Sequence, residues 1–93
     1  MTFVSNFQRY SISWKKSAEK DLESISVDKA QVITKKVNKI ITGDPSLDIL
    51  KLKGFFDIPT YRLRVGDYRI IFEVHEHAIV ILVVAVKHRK DAY

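Results

Sequence analysis

The stretch YRLRVGDYRIIFEV, Tyr61 to Val74, decides how this chain folds. Tyr61, Leu63 and Val65 alternate with Arg62 and Arg64, the period-two pattern of a half-buried strand. Gly66-Asp67 is a tight-turn pair, because glycine supplies the positive φ of a type II′ turn. The return strand runs from Tyr68 to Val74. A two-residue loop then sets Val65 opposite Tyr68, Arg64 opposite Arg69, Leu63 opposite Ile70 and Arg62 opposite Ile71. Opposed residues share a face, so Arg64 and Arg69 become cross-strand neighbours with Arg62 beside them. Like charges placed this way destabilise a sheet by roughly a few tenths of a kcal/mol or more. Two readings follow: an anion that relieves the repulsion, or a solvated outer face with splayed arginines.

Working outward, His75-Glu76-His77 reads as a polar hairpin turn. A metal reading of the same triplet is weaker, because no further ligands follow at a recognisable spacing. Ala78 to Val86 is apolar at every position, which predicts a strand in the middle of the sheet with both faces covered. Upstream, Ser46 to Thr60 reads as a connector. Leu47, Leu50, Leu52, Phe55 and Phe56 are apolar enough to pack there, Lys51 and Lys53 add charge, and Pro59 limits any helix. Glu73 falls on the arginine face by strand parity, with Arg62 or Lys53 as possible ion-pair partners.

Two helices are predicted before the connector. Trp14, Ala18, Leu22 and Ile25 form one apolar stripe, and Ala30, Ile33, Val37, Ile40 and Ile41 form a second. Asp28 is the predicted cap of the second helix, with Gln31 in a capping-box-like position. Gly43 ends it and Asp44-Pro45 prevents continuation. Tyr10, Ile12 and Trp14 alternate with Ser11 and Ser13, a first strand. Residues 1–9 show no clear period and read as a loose extension of a single domain spanning residues 1–93. The predicted class is α+β: a small, mainly antiparallel four-stranded sheet, order β-α-α-β-β-β, with an N-terminal helical hairpin packed on one face.

Composition narrows the function. There is no cysteine, hence no disulfide framework and no thiolate metal site. The N-terminus lacks a signal-peptide pattern, and the longest apolar run is half what a membrane helix needs. Together these predict a cytoplasmic protein with no membrane partner. Sixteen basic against eleven acidic residues give a net charge of +5, which favours polyanionic partners. Residues 15–44 carry seven lysines and five acids, an ordinary mixed helical surface. All arginines except Arg9 lie at or after Arg62, and arginine is the side chain suited to bidentate phosphate contacts.

With Trp14, Ser17-Ala18-Glu19-Lys20-Asp21-Leu22, Leu52-Lys53-Gly54, the segment Tyr61 to Phe72 and the ending Val86-Lys87-His88-Arg89-Lys90-Asp91-Ala92-Tyr93 in this order, the chain resembles the RelE/ParE superfamily of toxins from type II toxin–antitoxin systems. In the RelE branch the toxin enters the ribosomal A site and cuts mRNA, the messenger's own 2′-hydroxyl attacking the adjacent phosphate. That resemblance implies a ribosome-dependent endoribonuclease that inhibits translation and needs no metal or other cofactor. Its partners would be the ribosome, mRNA and an acidic, RelB-like antitoxin. The family's catalytic positions fall on Arg62, Arg64, Arg69, Arg89 and Tyr93. Lys51, Lys53, Lys87 and Lys90 join them as candidate RNA-binding residues.

Where some relatives carry lysines on the first hairpin strand, this chain has arginines. Arginine does not deprotonate in proteins, so Arg62 and Arg64 are expected as phosphate and 2′-hydroxyl ligands, not bases. Tyr93 is a candidate for proton transfer or for stacking on a base. The sequence shows no glutamate–histidine pair of the conventional ribonuclease kind. His88 is a candidate to assist proton transfer, against the plainer reading of a surface histidine at a strand end. The competing function is that of the ParE branch, inhibition of DNA gyrase without RNA cleavage.

Overall fold

The computed structural model describes residues 7–54 and 56–90. The 3-10 turn Phe7–Arg9 leads into β1 (Ser11–Trp14), α1 (Lys16–Glu23), α2 (Val27–Thr42), β2 (Asp48–Lys51), β3 (Thr60–Val65), β4 (Tyr68–His75) and β5 (Val80–His88). The five strands form one sheet in the order β1-β5-β4-β3-β2. β2 to β5 are antiparallel to their neighbours, and β1 joins the other margin parallel to β5.

The central hairpin has the register read from the sequence, with Val65 opposite Tyr68, Arg64 opposite Arg69 and Leu63 opposite Ile70. Gly66 has φ +57°, and Asp67 is not among the positive-φ residues, the sign combination of a type II′ turn. On the helix-side face, Leu63, Ile70, Phe72, Val74, Ile81, Val83 and Val86 meet Ala18 of α1 and Ile33, Val37 and Ile40 of α2 to form the core. Tyr61 stacks on Phe72 with ring centroids 5.4 Å apart, continuing that layer toward β2.

Several expectations need correction. The segment from Ser46 to Thr60 is not all connector, because residues 48–51 pair with β3 as a fifth strand. At four residues this strand is too short to show a period of its own. The second helix begins two residues earlier than expected. Ser26, not Asp28, is its N-cap, and its hydroxyl accepts the Lys29 N–H at 3.4 Å. β5 begins at Val80, since Ala78 and Ile79 belong to the turn and Ile79 itself has φ 55°. Phe7–Arg9 is not loose: Phe7 packs against the core and meets Tyr10 edge-on at 4.8 Å. Residues 1–6 and Phe55 lie outside the described residues.

Among the described residues, the helices cover β5 on one face. Its outer residues Leu82, Val84 and Ala85 are half-buried, and both helices pack on the opposite side. β5 also carries a bulge, where Ala85 faces Ile71 while Val83 faces Phe72, leaving Val84 as the extra residue. β1 ends opposite Val83, so the second half of β5 would present an open edge. The start of α1 covers it. The Ser17 hydroxyl donates to the Val84 carbonyl at 3.0 Å, and the Val86 N–H donates to Asp21 Oδ2 at 2.9 Å. Among the described residues no helix is long and apolar enough to cross a membrane.

Candidate functional site

The face of the sheet away from the helices gathers the chemistry. Pairing across four strands sets Asp48, Arg64, Arg69 and Lys87 in one row. The next row is Leu50, Arg62, Ile71 and Ala85. A basic strip thus crosses the sheet at one end, beside an apolar strip. Arg64 and Lys87 are exposed, whereas Arg62 and Arg69 are half-buried. Arg62 has a carboxylate to hold it, with Nη2 3.6 Å from Asp48 Oδ1.

Lys87 enters this row because of the bulge. Straight alternation from Ile81 would turn Lys87 toward the helices and His88 outward; one extra residue exchanges them. On the far side Lys87 Nζ meets Asp21 Oδ1 at 3.5 Å. Arg89 follows the end of β5. Its N–H donates to the Asp67 carbonyl at 2.7 Å, and its Nη1 lies 3.8 Å from Asp67 Oδ1. The hairpin tip therefore anchors Arg89 next to the basic row through both backbone and side chain.

The structure thus brings Arg62, Arg64, Arg69 and Lys87 together on one face, with Arg89 at its margin. His88 does not join them. It sits opposite Tyr68 on the helix-side face and meets that ring edge-on at 5.2 Å, while Lys29 Nζ lies 5.8 Å from the centre of the same ring. His88, a candidate for proton transfer, thus stands on the other side of the sheet from the arginine row. Lys51 is opposite Tyr61 and so has helix-side parity. Lys53 is exposed beyond β2, and Lys90 lies in the turn after β5, its N–H donating to His88 Nδ1 at 3.2 Å. Tyr93 lies outside the described residues.

Glu73 pairs with neither Arg62 nor Lys53. Its Oε1 is 2.8 Å from His75 Nε2, on the open face but beyond Ile71 from the basic row. A carboxylate–imidazole pair is therefore present after all, at the other end of β4. Among the described residues no three His, Asp or Glu side chains come together as a metal-binding group. Sequence reasoning missed Asp48 and Asp67 as partners of the cations. Asp48 was hidden in the unrecognised β2, and Asp67 had been read only as a turn residue.

The chain is similar to several known proteins and to a known family. A family model described as the ParE toxin of type II toxin–antitoxin systems matches residues 12–93. A curated Escherichia coli protein described as a putative RelE-like toxin is 29% identical over 87 residues, 91% of this chain and 90% of that protein. The fold is similar to the crystal structure of a RelB–RelE antitoxin–toxin complex from Methanococcus jannaschii, at a TM-score of 0.71 and 31% identity, covering 87% of this chain and 94% of that one. It is similar as well to an archaeal RelE–RelB complex from Pyrococcus horikoshii, with a TM-score of 0.71, 30% identity and coverage of 89% and 98%.

Proposed function

The chain belongs to the RelE/ParE superfamily of toxins from type II toxin–antitoxin systems, and on that premise we propose that it is a ribosome-dependent mRNA endoribonuclease. The observation that carries the proposal is the row Arg64–Arg69–Lys87 on the sheet face opposite α1 and α2. Guanidinium groups gathered on one face suit the charge and the planar, bidentate geometry of phosphate recognition.

In the proposed reaction the messenger's 2′-hydroxyl attacks the adjacent phosphorus. The O2′–P bond forms, the P–O5′ bond breaks, and the products are a 2′,3′-cyclic phosphate and a free 5′-hydroxyl. Negative charge builds on the non-bridging oxygens as the phosphorus becomes five-coordinate. In this reading Arg69 and Arg64 meet that charge, and removing one such donor costs on the order of 2–4 kcal/mol of barrier in related oxyanion sites. Arg62, held by Asp48, and Lys87, held by Asp21, grip flanking phosphates. Arg89 adds a further guanidinium from the hairpin tip. Tyr93 is assigned to proton transfer between O2′ and O5′ by the family resemblance alone. Lys53 and Lys90 contribute charge outside the row.

The same premise assigns a protein partner. Both archaeal structures are complexes with an antitoxin, and a chain of net charge +5 suits an acidic one. We therefore include a cognate antitoxin in the proposal.

The test is mRNA cleavage in a purified translation system with the 5′ ends mapped. Cuts at the A-site codon, absent without ribosomes and lost in Arg69→Ala, are expected. The family model carries the ParE description, which favours a second reading as a gyrase inhibitor. Absence of cleavage together with inhibition of supercoiling by the wild type would establish that reading instead.

A further inference from the structure

Three of the cations on the open face stand beside carboxylates that come from three different elements. Asp48 on the edge strand β2 reaches Arg62 at 3.6 Å, Asp67 at the hairpin tip reaches Arg89 at 3.8 Å, and Asp21 on α1 reaches Lys87 at 3.5 Å. They approach the basic cluster from its edge, its tip and its opposite margin. Asp21 also accepts the Val86 N–H and so has work in the fold. Asp48 and Asp67 differ: their side chains are 59% and 61% exposed, and pairs this open contribute little to stability. Asp48 moreover lies directly opposite Arg64, inside the basic row.

The arrangement acts differently at long and short range. Around Arg62, Arg64, Arg69, Lys87 and Arg89 the three carboxylates lower the positive charge that the face shows at a distance. A phosphate still a Debye length away, about 8 Å at physiological salt, meets that reduced charge. A phosphate already seated on the face makes bidentate, charge-assisted contacts that outcompete an exposed carboxylate. Affinity for single-stranded RNA scales with the phosphates neutralised, so a rim of acids lowers capture of RNA arriving alone. RNA delivered in position by another surface still receives the guanidinium contacts.

We propose that Asp48 and Asp67 are specificity-determining residues that hold down the affinity of the open face for free single-stranded RNA. This rests on the reading of that face as the RNA site.

The test is fluorescence anisotropy of a short labelled oligouridylate without ribosomes, at about 50 mM and about 200 mM salt. The proteins compared are the wild type, Asp48→Asn, Asp67→Asn, the double variant, Arg69→Ala, and Glu19→Gln on the helix side as a control of equal charge change. Each Asn variant is expected to bind roughly two- to five-fold tighter at the lower salt, the double variant tighter still, with the gain shrinking at the higher salt. Arg69→Ala should weaken binding and Glu19→Gln should leave it nearly unchanged. If Arg69→Ala weakens binding but the Asn variants match the wild type, the rim proposal fails and the RNA face stands. Equal tightening by Glu19→Gln would reduce the effect to net charge and overturn the proposal. If Arg69→Ala binds like the wild type, RNA does not use this face and both readings fall.

Discussion

Arg64 and Arg69 stand directly opposite each other on the open face, between Asp48 on one side and Lys87 on the other. A folded protein gains nothing in stability from opposing two guanidinium groups, so their juxtaposition separates stability from function. Arg64 is the exposed member of the pair. Arg64→Ala is expected to leave the denaturation midpoint nearly unchanged, because the repulsion from Arg69 that it relieves and the attraction to Asp48 that it loses are of similar size, each roughly 0.2–1 kcal/mol. The same change should lower ribosome-dependent cleavage by about two orders of magnitude. A variant that loses stability and activity in parallel would mean that the pair is structural.

The bulge at Val84 takes up one extra residue of β5. Deleting Val84 removes the bulge without moving its neighbours across the sheet: Ala85 then follows Val83 directly and keeps to the open face, Val86 stays in the core, where it is 5% exposed, and Lys87 stays in the basic row. The deletion is therefore expected to keep RNA binding and to cost stability mainly through the Ser17 hydroxyl, which loses the Val84 carbonyl as its acceptor. Loss of RNA binding in a variant that still unfolds cooperatively would show that the bulge itself shapes the basic row.

What the sequence made legible was what its periodicity encodes. Residues 61–74 specify their own pairing, because alternation and a Gly66 turn leave one register that buries Leu63, Ile70 and Phe72 together. The stripe Ile33, Val37 and Ile40 likewise placed α2 on the core. The bulge was invisible for the opposite reason. From Ala78 to Val86 every residue is apolar, so a slip of one leaves no mark in the pattern, and the side of the sheet taken by Lys87 and His88 could not be read. β2 was missed because four residues, with Leu50 half exposed, carry too little alternation to stand out from a loop. The ion-pair partners of the arginines were missed with it.

The start of α2 was placed on Asp28, and the structure puts the cap on Ser26. The two assignments separate cleanly by mutation. Ser26→Ala leaves the Lys29 N–H without its hydroxyl acceptor and is expected to destabilise the protein by about 1 kcal/mol. Asp28→Ala removes only a favourable charge in the first turn, worth about 0.3–1 kcal/mol, and that loss should vanish at high salt. A larger, salt-independent loss at Asp28 would return the cap to that residue.

The Glu73–His75 pair sets a carboxylate beside an imidazole on the open face, but away from the basic row. Glu73 is four residues along β4 from Arg69, a separation of about 13 Å. Proton transfer requires the donor within hydrogen-bond reach of the reacting oxygen. Glu73→Gln is therefore expected to leave single-turnover cleavage on the ribosome unchanged. A large fall in that rate, with RNA binding intact, would move the reacting phosphate toward His75 and away from the basic row.

The junction from α2 to β2 is where pH should be felt. Past the left-handed C-cap Gly43, Asp44 Oδ1 accepts from the Ser46 hydroxyl at 2.7 Å and from the Ser46 N–H at 2.9 Å. These two hydrogen bonds, with Lys39 at 3.9 Å adding a smaller attraction, hold the Asp44 carboxyl below its ordinary value of 3.8. A carboxyl depressed in the folded state binds its proton more weakly there than in the unfolded chain. Its contribution to stability is therefore fully present above the ordinary value and is lost as pH falls through the lower, folded value. Asp44→Asn removes the charge while keeping the size. The wild type is expected to exceed this variant in denaturation midpoint near neutral pH, and the gap should close as the pH drops below 3.8. A gap that is constant with pH, or that widens on acidification, would show that the Asp44 charge does not stabilise the turn leading into β2.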